Sequence, residues 1–224
     1  MPEDHSKSFV RLLVAGGVQL VDRERSLGSH CVEPDHWPQF VRDAVRSAYR
    51  SVGGLEWSDR RYYECLGSRV DRELSINDGR ITLEFDEQLH ISQYRKRTLR
   101  LPEYSSGDFR RTFDPSDVLA HPDTKLPTAT GRAHSEGAHR QFEAMCGNPP
   151  TCRHRQRAWY DAVADFVLGA RLPDQPLFVR VIEDVHMINR RTLASRLERG
   201  LTAKEARHFL EDLMDGMNSS PSPA

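Results

Sequence analysis

The stretch RVDRELSINDGRITLEFDEQLH, Arg69 to His90, holds Asp71, Glu73, Glu84, Asp86 and Glu87. Its pattern places them on two adjoining strands. Two carboxylates about 5 Å apart repel by about 3 kcal/mol at an effective dielectric near 20, so acid set against acid asks for a positive charge between them. A divalent cation is the natural occupant, because Mg²⁺ and Mn²⁺ prefer carboxylate oxygen and leave room for water and a substrate phosphate. Such a site activates water and neutralises charge on a phosphodiester. The residues that follow, His90 and then Arg95, Lys96, Arg97 and Arg100, would give a nucleic-acid backbone its partners. The plainer alternative is a strand whose polar face is simply solvated.

The acids must be positioned by a hairpin. Asn77-Asp78-Gly79 is a strong turn signal because the turn needs positive φ. After it, Ile81, Leu83 and Phe85 alternate with Thr82, Glu84 and Asp86, so the first three face the core. A turn centred on Asn77-Asp78 sets Asp71 opposite Glu84, whereas one centred on Asp78-Gly79 sets it opposite Asp86. Upstream, FVRLLVAGGVQLV reads as helix or strand, and Val41, Ala44, Val45, Ala48 and Val52 define an amphipathic helix with Asp35 available as its cap. RRYYECLGSRVDREL reads as the first strand of the hairpin. Downstream, ISQYRKRTLRL reads as a helix, and residues 102–136 as a long loop insertion. RQRAWYDAVADFVLGA reads as a helix with a stripe of Trp159, Val163, Phe166 and Val167, in which Asp161 and Asp165 make ordinary surface pairs behind Arg157. PLFVRVIEDV is a strand, and two closing helices follow, the second opened by a Thr202/Glu205 capping box.

The segment VDREL…NDGRITLEFDEQLH resembles the core of the PD-(D/E)xK nuclease-like superfamily, in the branch similar to very-short-patch repair endonucleases. There an Asp ends one strand and the next reads as apolar residues around E-x-D, with a His four residues on. The resemblance extends to RAWYDAVADFVLGARLPDQPLFVRVIED and covers roughly residues 38–185. It implies that Asp71 and Glu84 bind Mg²⁺ or Mn²⁺ with help from the Phe85 carbonyl, that Asp86 tunes the site, and that His90 aids water or phosphate. The chain departs from the pattern at Val70, where the motif has proline, and at Asp86, which takes the lysine position; Lys96 lies too far along to substitute simply. A nuclease core retained for binding nucleic acid or protein, without turnover, is the alternative that these departures favour.

Composition frames both readings. In 224 residues there are 32 basic and 33 acidic side chains, giving a formal net charge of −1, so attraction to nucleic acid must come from local patches. No apolar run approaches the length of a membrane span, and the N-terminus lacks the pattern of a secretory signal, so the expected setting is cytoplasmic, with no membrane partner. Four cysteines make no disulfide framework, and their spacing, with five residues between Cys146 and Cys152, argues against zinc. VAGGVQLV does not meet the phosphate-loop pattern. The expected fold is α/β: a small mixed sheet with an antiparallel hairpin core flanked by helices, and a helical C-terminal extension. The expected segments are 1–37 N-terminal, 38–190 nuclease-like core, 191–216 C-terminal helices and 217–224 tail. The expected function is metal-dependent endonuclease action on DNA in restriction, defence or repair. A structural component of a larger assembly is a third reading.

Overall fold

The computed structural model describes residues 4–26, 33–66, 69–77, 79–86, 91–122, 142, 152–172 and 177–218; for 22–26, 69–71 and 218 it describes the backbone alone. The opening segment is both of the elements its apolar density allowed: helix α1 (His5–Ala15), then strand β1 (Gln19–Ser26). The two are joined through Gly16-Gly17, where Gly17 takes a positive φ of 90°. Next come α2 (Gln39–Ser51), α3 (Arg60–Cys65), and the hairpin of β2 (Arg69–Ile76) and β3 (Gly79–Asp86). The α3 helix occupies the front of the stretch expected to be wholly strand. Asp35 does not cap α2, whose N-cap is Pro38; its carboxylate instead accepts a 2.5 Å hydrogen bond from the Tyr63 phenol on α3.

The hairpin register pairs Arg72 with Leu83 and Ile76 with Gly79. That fits a turn on Asn77-Asp78, and Asn77 carries the positive φ, 49°, that such a turn requires. Further on are α4 (Gln93–Leu99), α5 (Pro115–Ala120), α6 (Cys152–Gly169), β4 (Leu177–Ile182), a two-strand β5 (Met187–Ile188) and β6 (Arg191–Thr192), then α7 (Leu193–Glu198) and α8 (Ala203–Asn218). The first part of the expected loop insertion is therefore ordered structure, with a 3-10 turn at Pro102–Ser105 and helix α5; residues 123–136 lie outside the described residues. The Thr202/Glu205 capping box forms in both directions, with Thr202 N–H donating to Glu205 at 3.0 Å and Glu205 N–H donating to the Thr202 hydroxyl at 3.3 Å.

The main sheet runs β1-β2-β3-β4, antiparallel except for the parallel β3–β4 pair. Because β1 is its edge strand, residues 1–37 contribute to the core sheet rather than standing apart from it. Helices cover both faces. Ile81, Leu83 and Phe85 pack with Leu74, Val179 and Val181 against α1 and α8. The opposite face, expected to be the polar one, is also covered: α6 lies over it, itself packed against α2 and α4. Glu84 and Asp86 are consequently buried, which overturns the solvated-strand alternative. Strand alternation distinguishes two faces, but it takes a helix that starts 66 residues after the end of β3 to decide that both are dry.

His186, just past β4, couples this architecture to pH. Its Nδ1 accepts from the Ile182 N–H at 2.9 Å, and its Nε2 lies 2.9 Å from the Thr112 carbonyl, where the neutral ring donates. Burial lowers its pKa below the ordinary 6.5, outweighing the opposing pull of those carbonyls and of Asp86. A depressed histidine contributes stability that is complete above 6.5 and lost as pH falls toward the folded value, because there the unfolded chain binds more protons. Urea unfolding should thus show a lower midpoint at pH 5 than at pH 7.5, and His186→Gln should remove part of that difference.

Candidate metal centre

The alternation of β3 sends Glu84 and Asp86 to one face, and the register of β4 places Arg180 beside Glu84. Helix α6 crosses the same face. In YDAVADFVLGA the only charged residues are Asp161 and Asp165, four apart and hence one helical turn from each other. Both turn inward: Asp161 is 6% exposed and Asp165 3%, beside Glu84 at 8% and Asp86 at 2%. The expected surface placement of these acids is therefore corrected, because α6 is buried on nearly all sides and its acids meet the sheet. A pair of acids in an otherwise apolar helix was the signal for this: a solvated face seldom carries Ala, Val and Phe around its charges.

Glu84, Asp86 and Asp161 each offer a carboxylate oxygen within 4.8 Å of the others. The Arg180 guanidinium lies at the centre of what holds them. Its Nη1 donates to Asp86 at 2.7 Å, Nε to Asp165 at 2.6 Å, and Nη2 to the Asp161 carbonyl at 3.0 Å. The second oxygen of Asp165 accepts from Arg95 Nη2 and from the Tyr104 phenol, each at 2.5 Å, and Arg95 also donates to the Tyr104 oxygen at 2.8 Å. Burial works against the charged form of Arg180, but Asp165, Asp86 and Glu84 overcome it and hold the pKa well above the ordinary arginine value. The same contest raises Arg95, through Asp165. Burial pushes the Tyr104 phenol well above its usual range, so it stays a donor.

Four buried carboxylates, Glu84, Asp86, Asp161 and Asp165, thus share this layer with two buried guanidiniums, Arg95 and Arg180. The donor set of three carboxylates is hard oxygen, which fits Mg²⁺ or Mn²⁺ and is unsuited to zinc or copper.

The residues expected from sequence divide clearly. Glu84 and Asp86 converge, and Asp161 joins them. Asp71 is in β2, but its side chain lies outside the described residues; the described ladder stops one step short of it, at Arg72–Leu83. His90 also lies outside the described residues. Of the four cations expected on phosphate, Arg95 is 2% exposed and tied to Asp165, and Lys96 is buried with its Nζ donating to the His121 carbonyl. Those two are corrected to internal roles, because α4 packs against α6 and turns them inward. Arg97 and Arg100 remain exposed. Of the cysteines, Cys65 is a free buried thiol, and Cys152 is disulfide-bonded, a pairing that the sequence reading did not expect.

No helix among the described residues is long and apolar enough to cross a membrane. The chain matches no protein-family model, and it shows no significant similarity to a curated protein or a solved structure.

Proposed function

We propose that the protein is a divalent-metal-dependent endonuclease acting on DNA, with Glu84, Asp86 and Asp161 as the metal-binding acids. The observation that carries this reading is the meeting of those three buried carboxylates, from two separate elements, within 4.8 Å. Asp71 and His90 complete the proposed site on the strength of the motif resemblance alone. A bound Mg²⁺ or Mn²⁺ would supply Lewis-acid stabilisation of charge on the phosphoryl oxygens.

The chain's own groups do the positioning. Arg180 fixes Asp86 and Asp165 in one plane of hydrogen bonds, and Arg95 with Tyr104 holds Asp165 from the other side. Hydrolysis forms a bond from a water oxygen to phosphorus and breaks the bond to the leaving ester oxygen. The proton from water passes to a carboxylate of the cluster or to His90, and the leaving oxygen takes one from solvent. Arg180 takes part as a fixed positive charge beside Asp86, where the nuclease pattern has lysine.

A second reading draws on that same contact. Asp86 is already ion-paired to Arg180, as expected of a nuclease core kept for binding without turnover. Incubating the purified chain with supercoiled plasmid and with single-stranded DNA, in Mg²⁺, Mn²⁺ or chelator, separates the two. Metal-dependent nicking supports the first reading. DNA binding with no nicking in either metal rejects it in favour of the second.

A further inference from the structure

Next to the acidic cluster is a cavity of about 830 Å³ of opposite character. Arg100, Arg110, Arg111 and Arg171 line it, and Asp114 is the sole carboxylate among its lining residues. The backbone builds it. Arg110 N–H donates to the Gly169 carbonyl at 2.6 Å, Arg171 N–H donates to the Asp108 carbonyl at 2.9 Å, and Phe109 forms a bridge with Ala170. A methyl group on Gly169 would come within 2.8 Å of the Arg110 carbonyl oxygen, so only glycine allows the two segments to meet and bring arginines from both to one cavity.

Arg111 Nη1 and Arg171 Nε are buried with no hydrogen-bond partner among the described residues. A buried N–H without an acceptor is destabilising. Asp114 does not remedy this alone, since its carboxylate also caps α5 by accepting from the Ser116 N–H at 2.8 Å. Burial lowers the pKa of Arg111, Arg171 adds to that shift, and Tyr104, Asp165 and Asp114 oppose it. Four guanidinium-bearing side chains around one cavity, with a single carboxylate among its lining residues, favour an anion with several oxygens.

We propose that this cleft seats the phosphate backbone of a single nucleic-acid strand and leads it toward the acidic cluster. The choice of nucleic acid rests on the hydrolytic reading above, while the anion preference stands on the cleft itself. Its volume exceeds one oxyanion and suits a ligand of nucleotide size. Phe109, Leu119 and Pro102 add apolar lining against which sugar or base can lie. Tyr104 belongs both to the cleft wall and to the acid network, through its bond to Asp165, so the two sites share a side chain.

The test uses the full chain in chelator, with fluorescein-labelled dT12 followed by anisotropy between 50 and 200 mM NaCl. Arg111→Gln/Arg171→Gln should weaken binding at least about tenfold and flatten the dependence on salt by about one unit of slope per lost phosphate contact. Arg153→Gln, exposed on α6 outside the cleft lining, should bind within twofold of the wild type. If thermal melting shows the double variant unfolded, the exposed Arg100→Gln decides by the same measure. Failure of dT12 to bind, binding unchanged in the cleft variants, or uptake of pyrophosphate but not dT12 would each overturn the proposal. The two readings fail separately. A chain that binds dT12 through the cleft but cleaves nothing loses only the hydrolytic reading, and cleft variants that cleave with an unchanged KM lose only the cleft.

Discussion

Asp161→Asn should reduce metal-dependent cleavage at least about 10²-fold while leaving the folded structure intact. The amide is nearly the same shape as the carboxylate, so α6 keeps its packing, but one of three oxygens that share a 4.8 Å neighbourhood loses its charge. Glu84→Gln should act alike. The comparison is sharp because a site made from the hairpin alone, Asp71 with Glu84, assigns nothing to Asp161. A readout that does not depend on turnover accompanies it. A ligand that binds only the folded chain stabilises it by RT ln(1 + [L]/Kd), about 2.7 kcal/mol at a hundred times Kd. Mn²⁺ should raise the melting temperature of the wild type and raise it much less in Asp161→Asn. Full activity in the variant would remove α6 from the site; equal metal stabilisation in both chains would remove Asp161 from the ligand set.

Arg180→Met should have the largest effect on stability. The side chain is 1% exposed and bonds two carboxylates and a carbonyl, so its loss leaves Asp86 and Asp165 charged in a dry layer. Breaking a buried pair from one side costs about 3–5 kcal/mol, which for a chain of this size lowers Tm by roughly 6–20 °C. Arg180→Lys should recover only part of that loss, since a point charge cannot reach three acceptors in different directions as a planar fork does. Methionine tolerated at neutral pH with no fall in melting temperature would show that the network contributes little to the fold.

These two residues also mark where sequence reading reached and where it stopped. Glu84 and Asp86 were legible because a strand has a period of two, so their shared face follows from local geometry, whichever of the two turn registers holds. The α/β class, the helices with strong periodicity and the Thr202/Glu205 cap were legible for the same reason. The burial of Arg95 and Lys96 was not. A run of cations after the acids suggests phosphate, and nothing within ISQYRKRTLRL indicates that α6 will lie against it and turn two of the cations inward.

The hairpin and its alternation were decided by the chain within about twenty residues, through turn chemistry and the pleat of a strand. The composition of the site was decided by tertiary structure. Asp161 lies 75 residues beyond Asp86 in sequence, and Arg180 is brought beside Glu84 by a parallel strand pairing that local propensity does not encode. Charge in a protein takes its meaning from the dielectric around it and the partners within reach. Both are set by what packs over a face, which makes the sign and strength of this centre a property of the assembled layers.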